Sequence, residues 1–558
     1  MKRTILTMSA LAALLLSAGS AWAQVPNTVT AQQEGNGQLS RVEQAGQGQN
    51  ALIDQRTNGA SRTNEGNIGI IFQGKGGAGS FDQQATILQT GGSQNNRAGI
   101  TQDGPSRNTA LIEQIGSGGA GLRSESRENA GSGAGNWAGI QQNGNGNQGT
   151  VLQNEVVGEP TFEGEERPLG PIFDGSTTKN FGEVWQYGNG NEGFVNQSGS
   201  TDNRAEIYQG NDTRSSTVAS PPAVATTVAG NLANILQDFG SARNDGAIRQ
   251  FSNGNRANIQ QFGSTSQDNV ADIRQGLASD QPNSGGNEAF IYQVDNSLSN
   301  RAAITQEGGA NDADIEQVAA LRSENNQATI TQAAGANGNQ ATIFQGSLAI
   351  QDDVAENNRA EIKQAGDGDE AYITQERYTS SSQAYAEQGA GSYDNYIDIR
   401  QLNTTNGSAT ATQNRTATGT GNLIMIEQGT TTLAATNVSA TIGQEGSNNT
   451  AKLRQTGNGH SATADQIGNN NVLRGLTGEF ATQTGPGGNS LTLEQRTGNG
   501  TAFNNTLQIG QESLSGLGNS ATVSQTLSAS AVGGNLSTIN QLGSGNSAAV
   551  TQVNGINN

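Results

Sequence analysis

The sequence predicts an all-β protein: a β-solenoid, or cross-β stack of strand-turn-strand coils, with about 22 residues per coil and two facing sheets. Three observations predict it. Asn is followed six residues later by Gln at 27 places between Asn27 and Gln552, and at 26 of them the fourth residue after Asn is Ile, Val or Leu, Ala31 being the exception. The second residue is Ala or Gly at 21 of the 27 and is never charged, whereas charges occur freely at the first, third and fifth positions, as at Arg97, Glu113, Arg256, Asp272, Arg359, Glu361 and Lys363. Glycine follows the Gln, as in Gln44-Ala45-Gly46 and Gln541-Leu542-Gly543, so strand and turn together recur after about 11 residues.

A period of two is that of a strand, whose successive side chains point to opposite faces. Asn, Ala, Ile and Gln therefore share one face, and the β-branched residue at its centre agrees with strand propensity. Residues 300–317 read as the two opposed strands of one coil. Ala302, Ile304, Ala313 and Ile315 fill its core, Asn300, Gln306, Asn311 and Gln317 are rungs of amide ladders, and Arg301, Asp312, Asp314 and Glu316 face water. One such strand is marginal alone, so coils must stack at a spacing of about 4.8 Å. Inward amides are costly unless paired, and stacking identical amides lets each bond the copies above and below. Asp369, at the start of Asp369–Gln375, is an Asp in the Asn position of such a unit, where stacked carboxylates would repel.

Taken in chain order, residues 1–23 read as a secretory signal peptide. Lys2 and Arg3 precede the apolar run from Leu11 to Leu16, and Ala21 and Ala23 supply the small residues of a cleavage site before Gln24. Repeats are expected over 24–153, 181–209 and 231–558. Between them lie an acidic insertion at 154–180 with Pro160, Pro168 and Pro171, and a Ser/Thr/Pro/Ala loop at 210–230 with Pro221 and Pro222. Proline cannot donate to a ladder, so both read as loops bulging from the solenoid. No later segment is apolar enough to span a membrane as a helix.

Composition narrows the function. With 32% hydrophobic residues, 4% aromatics, 78 glycines and a net charge of −20 the chain resembles a disordered one, but disorder does not explain parity. The acidic balance, 49 Asp and Glu against 29 Lys and Arg, excludes nucleic acid as the main partner. There is no cysteine and a single histidine, so thiolate sites and Ser/His or Cys/His nucleophile systems cannot be assembled; no catalytic residue, metal ligand or cofactor is expected. His460 stands in an Asn position and reads as a solvated or ladder-end imidazole. The acid pairs Asp312 with Asp314 and Asp352 with Asp353 read as a solvated face. The aromatics Trp137, Trp185, Tyr208, Tyr292 and Phe344 fall on outward positions and read as a rim for contacts with chains or surfaces.

The phrase Asn-x-Ala-x-Ile-x-Gln-x-Gly-x-x-Asn resembles the curlin repeat of the curli family of extracellular amyloid subunits. Asn326, Ala328, Ile330, Gln332, Asn339, Ala341, Ile343 and Gln345 match its ladder positions, as do Asn244, Ile248, Gln250, Asn255, Ala257, Ile259 and Gln261. The resemblance implies a secreted structural protein, not an enzyme, that assembles with itself into cell-surface fibres for adhesion and biofilm matrix. It also implies a Gram-negative source, a nucleating curlin-like subunit, an outer-membrane export pore, and cell or abiotic surfaces as partners. The chain holds more coils than a typical curlin, and its repeats begin at Asn27, three residues after Gln24. The alternative is a non-polymerising solenoid adhesin that displays loops from a rigid rod.

Overall fold

The computed structural model describes residues 26–34, 38–56, 67–74, 82–90, 96–103, 107–115, 136–143, 145–154, 180–198, 200, 202–210, 229–237, 241–263, 266–276, 285–347, 354–415, 418–476, 478–498, 504–527 and 534–553. The expected cleavage site at Ala21, Ala23 and Gln24 lies outside them, as do nearly all of the two insertions and the pair Asp352 and Asp353. The chain forms two compact units, Met1–Pro282 and Asn283–Asn558.

Each unit consists of two parallel sheets facing each other, and successive strands alternate between them. In the first unit one sheet runs from Thr28–Gln33 through Asn50–Gln55 and Gln84–Thr90 to Arg256–Gln260. The other runs from Leu39–Gln44 through Ile68–Gln73 to Val270–Gln275. In the second unit the sheets start with Glu288–Leu298 and Arg301–Gln306 and reach Asn535–Leu542 and Ser547–Val553. Registers match position for position: Ala302 lies beside Ala328, Ile304 beside Ile330 and Gln306 beside Gln332. One irregularity, between Asp295 and Ser297, interrupts this pairing in the strands that carry it.

The period of about 22 residues is the lower limit, not the rule. Paired glutamines are 22 residues apart at Gln33 and Gln55 but 44 apart at Gln142 and Gln186. Strand register is held by the ladders, and the added cost of a longer connection grows only slowly with its length, so the turns absorb the difference.

The core is one aliphatic layer thick. The second and fourth positions are buried in the inner strands, with Ile248, Ile259, Ile330 and Ile343 at 0% exposure, and open only in the terminal ones, at Val29, Ala31, Ser40, Val42, Ala548 and Val550. The small second residue has a steric cause. A Cβ built on Gly193 would lie 2.7 Å from Val184 Cγ1, one on Gly182 2.7 Å from Val151 Cγ1, and one on Gly149 2.9 Å from Ile140 Cγ2. The second position of each strand thus faces the fourth position of the strand before it. Where that fourth residue shrinks to Ala386, Ala411, Ala464 or Ala481, the second residue of the next strand is Ile397, Ile424, Leu473 or Leu491. All eight are buried, so volume is conserved by exchange across the two sheets.

A second local rule sits one residue before most rungs, Gly488, Gly518 and Gly534 being exceptions. Asp268, Ala310, Asn325, Asn357, Asp394, Asn437, Asn448 and Asn470 have φ between 51° and 59°, and Gly254, Gly338, Gly368 and Gly421 occupy the same place with φ between 65° and 67°. This left-handed residue reverses the chain into the next strand, which explains the Gly-Asn and Asn-Asn pairs that punctuate the sequence. Nothing lies within 4 Å of a Cβ built on Gly338, so only the backbone conformation opposes a side chain there. Gly338→Ala is expected to cost about 1 kcal/mol and Gly338→Asn markedly less, as guanidinium titration followed by far-UV circular dichroism will read.

Candidate functional site

The repeated feature with the most chemistry is the set of buried amides. In the second sheet of the second unit, Gln306 Nε2 donates to Gln332 Oε1 (2.9 Å), and Gln332 Nε2 to Gln364 Oε1 (2.9 Å). The line continues through Gln388, Gln413, Gln444, Gln466, Gln495 and Gln525 to Gln552. The facing sheet carries a parallel line from Gln293 through Gln317, Gln345 and Gln375 to Gln541. In the first unit the lines run from Gln33 to Gln261 and from Gln44 through Gln250 to Gln275. Every rung donates toward the rung C-terminal to it, so each ladder has a direction.

These amides also tie the sheets together. Gln332 Nε2 lies 3.0 Å from the Asp312 carbonyl on the facing sheet and 3.1 Å from the Asn339 carbonyl in the turn, and Gln306 Nε2 contacts Glu288 and Asn311 carbonyls in the same way. The side chain crosses the end of the core and supplies donors that the parallel sheets lack there.

The Asn rungs work differently from stacked side-chain amides. Asn300 Oδ1 accepts from the backbone N–H of Asn326 (2.8 Å), Asn326 Oδ1 from that of Asn358 (2.9 Å), and Asn311 Oδ1 from that of Asn339 (3.0 Å). Asn244 Oδ1 accepts from Asn269 N–H (2.9 Å), and Asn255 N–H donates to Asn231 Oδ1 (2.8 Å). In the column from Asn287 to Asn449 the side-chain nitrogen turns to a carbonyl of the next turn, as Asn339 Nδ2 does to Gly366 O (2.7 Å), whereas Asn255 Nδ2 bonds Ser252 O of its own turn (3.0 Å). The reason is reach: one methylene fewer than Gln holds the amide against its own backbone rather than over the neighbouring side chain.

Because the Asn position needs only an acceptor aimed at a backbone N–H, other residues serve there, and a search for Asn alone misses them. Ser382 Oγ accepts from Gly407 N–H (3.1 Å). His460 is 1% exposed, not solvated: its Nδ1 accepts from Asn489 N–H (3.1 Å) and its Nε2 is 2.9 Å from the Thr456 carbonyl. That pair of contacts requires a neutral ring with the proton on Nε2, and burial holds its pKa below the usual histidine value. Gln49 and Gln83 are buried in the same position. At Gly407 and Val438 the side-chain line lapses, while the Gln line beside it does not.

The outward face carries the charges. Arginines and acids two residues apart on one strand pair, as Arg204 with Glu206 (2.7 Å) and Arg400 with Asp398 (2.8 Å), and others pair across coils, as Arg249 with Asp272 (2.7 Å) and Arg454 with Glu427 (2.7 Å). Asp314 is the most perturbed carboxyl, raised to about 7 by burial, then by Glu316 and Asp312. It is part of a row of acids on a sheet surface, and among the described residues no group of His, Asp and Glu is arranged to hold a metal ion. Of the outward aromatics, Trp137 and Tyr208 join columns along the stack instead of an open rim. Trp137 and Phe181 are stacked at 4.6 Å, Tyr208 is 8% exposed between Tyr187 (5.8 Å) and Phe251 (5.9 Å), and Arg274 lies 5.6 Å over Phe251.

Of the residues singled out in the sequence, Ala257, Ala302, Ala313, Ala328 and Ala341, together with Ile304 and Ile315, have 0–1% exposure, and Gln250, Gln261, Gln306, Gln317, Gln332 and Gln345 are each at 0%. The left-handed residue before most rungs and the Gln contacts to the opposite sheet are structural features that the Asn-to-Gln spacing does not contain.

The family model of the curlin associated repeat matches residues 355–389 and 446–472. No curated protein matches the chain significantly.

Proposed function

We propose that this protein, a member of the curlin-repeat family, is a secreted subunit of a curli-like amyloid fibre, and that the fibre elongates as further copies add coils end to end. The observation that supports this reading is the direction of the ladders. A coil edge without a neighbour presents Gln donors and Asn acceptors on one side, and Gln acceptors with backbone N–H groups on the other. An identical chain arriving in the same orientation satisfies both. Among the described residues, Thr28–Gln33 and Ser547–Val553 each carry a paired strand on one side only.

The outward face fits the same reading. Net charge −20 and paired surface ions oppose sideways clumping while leaving coil edges free to grow. Adhesion to cell or abiotic surfaces and a place in a biofilm matrix would be properties of the fibre, not of any one residue. Purified mature chain is expected to form fibres that give a reflection at about 4.7 Å and that shorten the lag of fresh chain when added as seeds. A chain that stays monomeric for days at high concentration sinks the proposal.

A further inference from the structure

We infer that Asp369 is a proton-controlled rung: the coil that closes over it completes its hydrogen bonds only when the carboxyl carries a proton, so stacking at residues 366–395 is favoured in mildly acidic surroundings. The inference rests on the proposed self-assembly and names a regulation of it.

The argument starts from what Asn does elsewhere in the same column. Its oxygen accepts the next rung's N–H, and its nitrogen donates to a turn carbonyl one coil on: Asn287 to Gly308 O (2.8 Å), Asn311 to Ala336 O (2.9 Å), Asn422 to Gly446 O (2.7 Å) and Asn449 to Gly468 O (2.8 Å). Asp369 is 0% exposed in this column. Its N–H donates to Asn339 Oδ1 (2.8 Å) and its Oδ1 accepts from Asn395 N–H (3.0 Å), so the first task is done. An ionised carboxylate has no hydrogen for the second.

Ser392 shows the deficit. Its Oγ is in contact with Asp369 Oδ2 and is 2.6 Å from the Gly389 carbonyl, so one hydroxyl hydrogen faces two acceptors. Protonating Asp369 supplies the missing hydrogen: Oδ2–H donates to Ser392 Oγ, and the Ser392 hydroxyl donates to Gly389 O. The chain of three oxygens then has two hydrogens for two contacts.

Among the described residues no cation offsets the charge. The charged groups around the rung are Asp367 and Glu370 on its own coil and Asp394 on the next turn; the preceding turn supplies Asn337, Gly338 and Asn339, and the facing strands supply the amides of Gln364 and Gln388. Asp367 is engaged with Asn337 N–H (2.9 Å). Burial raises the Asp369 pKa from 3.8 to about 6, ahead of the hydrogen bonds from Ser392 and Asn395 that act the other way, and Asp394 adds to the rise. The sign follows. From about pH 4 to about pH 6 the open chain has lost a proton that the stacked coil keeps, so stacking weakens roughly 100-fold as pH rises through this window and is level above it.

The test compares the full chain with Asp369→Asn, with the outward control Glu370→Gln and with Ser392→Ala, from about pH 4.5 to about pH 7.5 at constant ionic strength. It reads hydrogen-exchange protection of 366–395 alongside seeded growth. Protection in the natural chain is expected to fall at least tenfold across the range, to stay level in Asp369→Asn, and to follow the natural chain in Glu370→Gln. Ser392→Ala removes at once the carboxylate's donor and the acceptor of its proton, and is expected to lower protection of 366–395 at both ends of the range. Asp369→Asn keeping the natural slope, Glu370→Gln losing it equally, or Ser392→Ala leaving protection of 366–395 unchanged each overturns the inference. Protection is measurable on chain that never polymerises, so a failure of fibre growth and a failure of this switch give different results.

Discussion

Gln332→Glu is expected to destabilise the coils around it by about 3 kcal/mol or more near neutral pH, although the two side chains have the same shape. The replaced nitrogen sits within hydrogen-bond range of Asp312 O, Asn339 O and Gln364 Oε1, all acceptors. A carboxylate there meets three hydrogen-bond acceptors, and only the contact with Gln306 Nε2 survives. Protonation restores one hydrogen, so the buried carboxyl will have a raised pKa and the deficit will shrink as pH falls through it. In a stack where each coil contacts mainly its neighbours, damage should be local. Hydrogen exchange is expected to lose protection around 327–345 while coils several rungs away keep theirs. Uniform loss over the whole unit, or no loss, would contradict the ladder as the source of stability. Fibre growth should slow as well, because one defective rung disrupts both neighbouring coils.

Ile330→Ala should cost about 2–5 kcal/mol, the range for emptying a well-packed aliphatic site. Ile330 is at 0% exposure, and by the offset seen at Val184 and Gly193 it faces the second position of the next strand, Ala341. The double variant Ile330→Ala, Ala341→Ile is expected to regain most of the loss, since the chain already uses that exchange at Ala386 and Ile397 and again at Ala411 and Ile424. A double-mutant cycle by guanidinium titration measures the coupling. Additive costs in that cycle would mean that the two positions do not share one space.

Much of the fold is legible because its rule is local. Whether Ala328 and Ile330 share a face depends only on the two-residue period of a strand, and the exclusion of charge from those positions reports which face is inward. The outward placement of Arg301 and Glu316 follows from the same parity. The burial of His460 and Tyr208 is not legible in this way, because it depends on neighbours from other coils: Asn489 for the imidazole, and Tyr187 and Phe251 for the phenol ring. The volume exchange between Ala386 and Ile397 is invisible until the strand offset across the core is known.

By itself the sequence determined that this protein is a two-faced strand repeat with aliphatic centres and amide edges, since period, parity and residue type are properties of each short unit. Only the tertiary structure decided which atom each amide meets. Coil lengths vary with the turns, so no spacing along the chain indicates that Gln142 lies under Gln186. Side-chain reach then separates the two amides, sending Gln to its copy and Asn to a backbone N–H. The same placement encloses Asp369 beside Ser392, because burial is set by the coils stacked above and below and not by the residue itself.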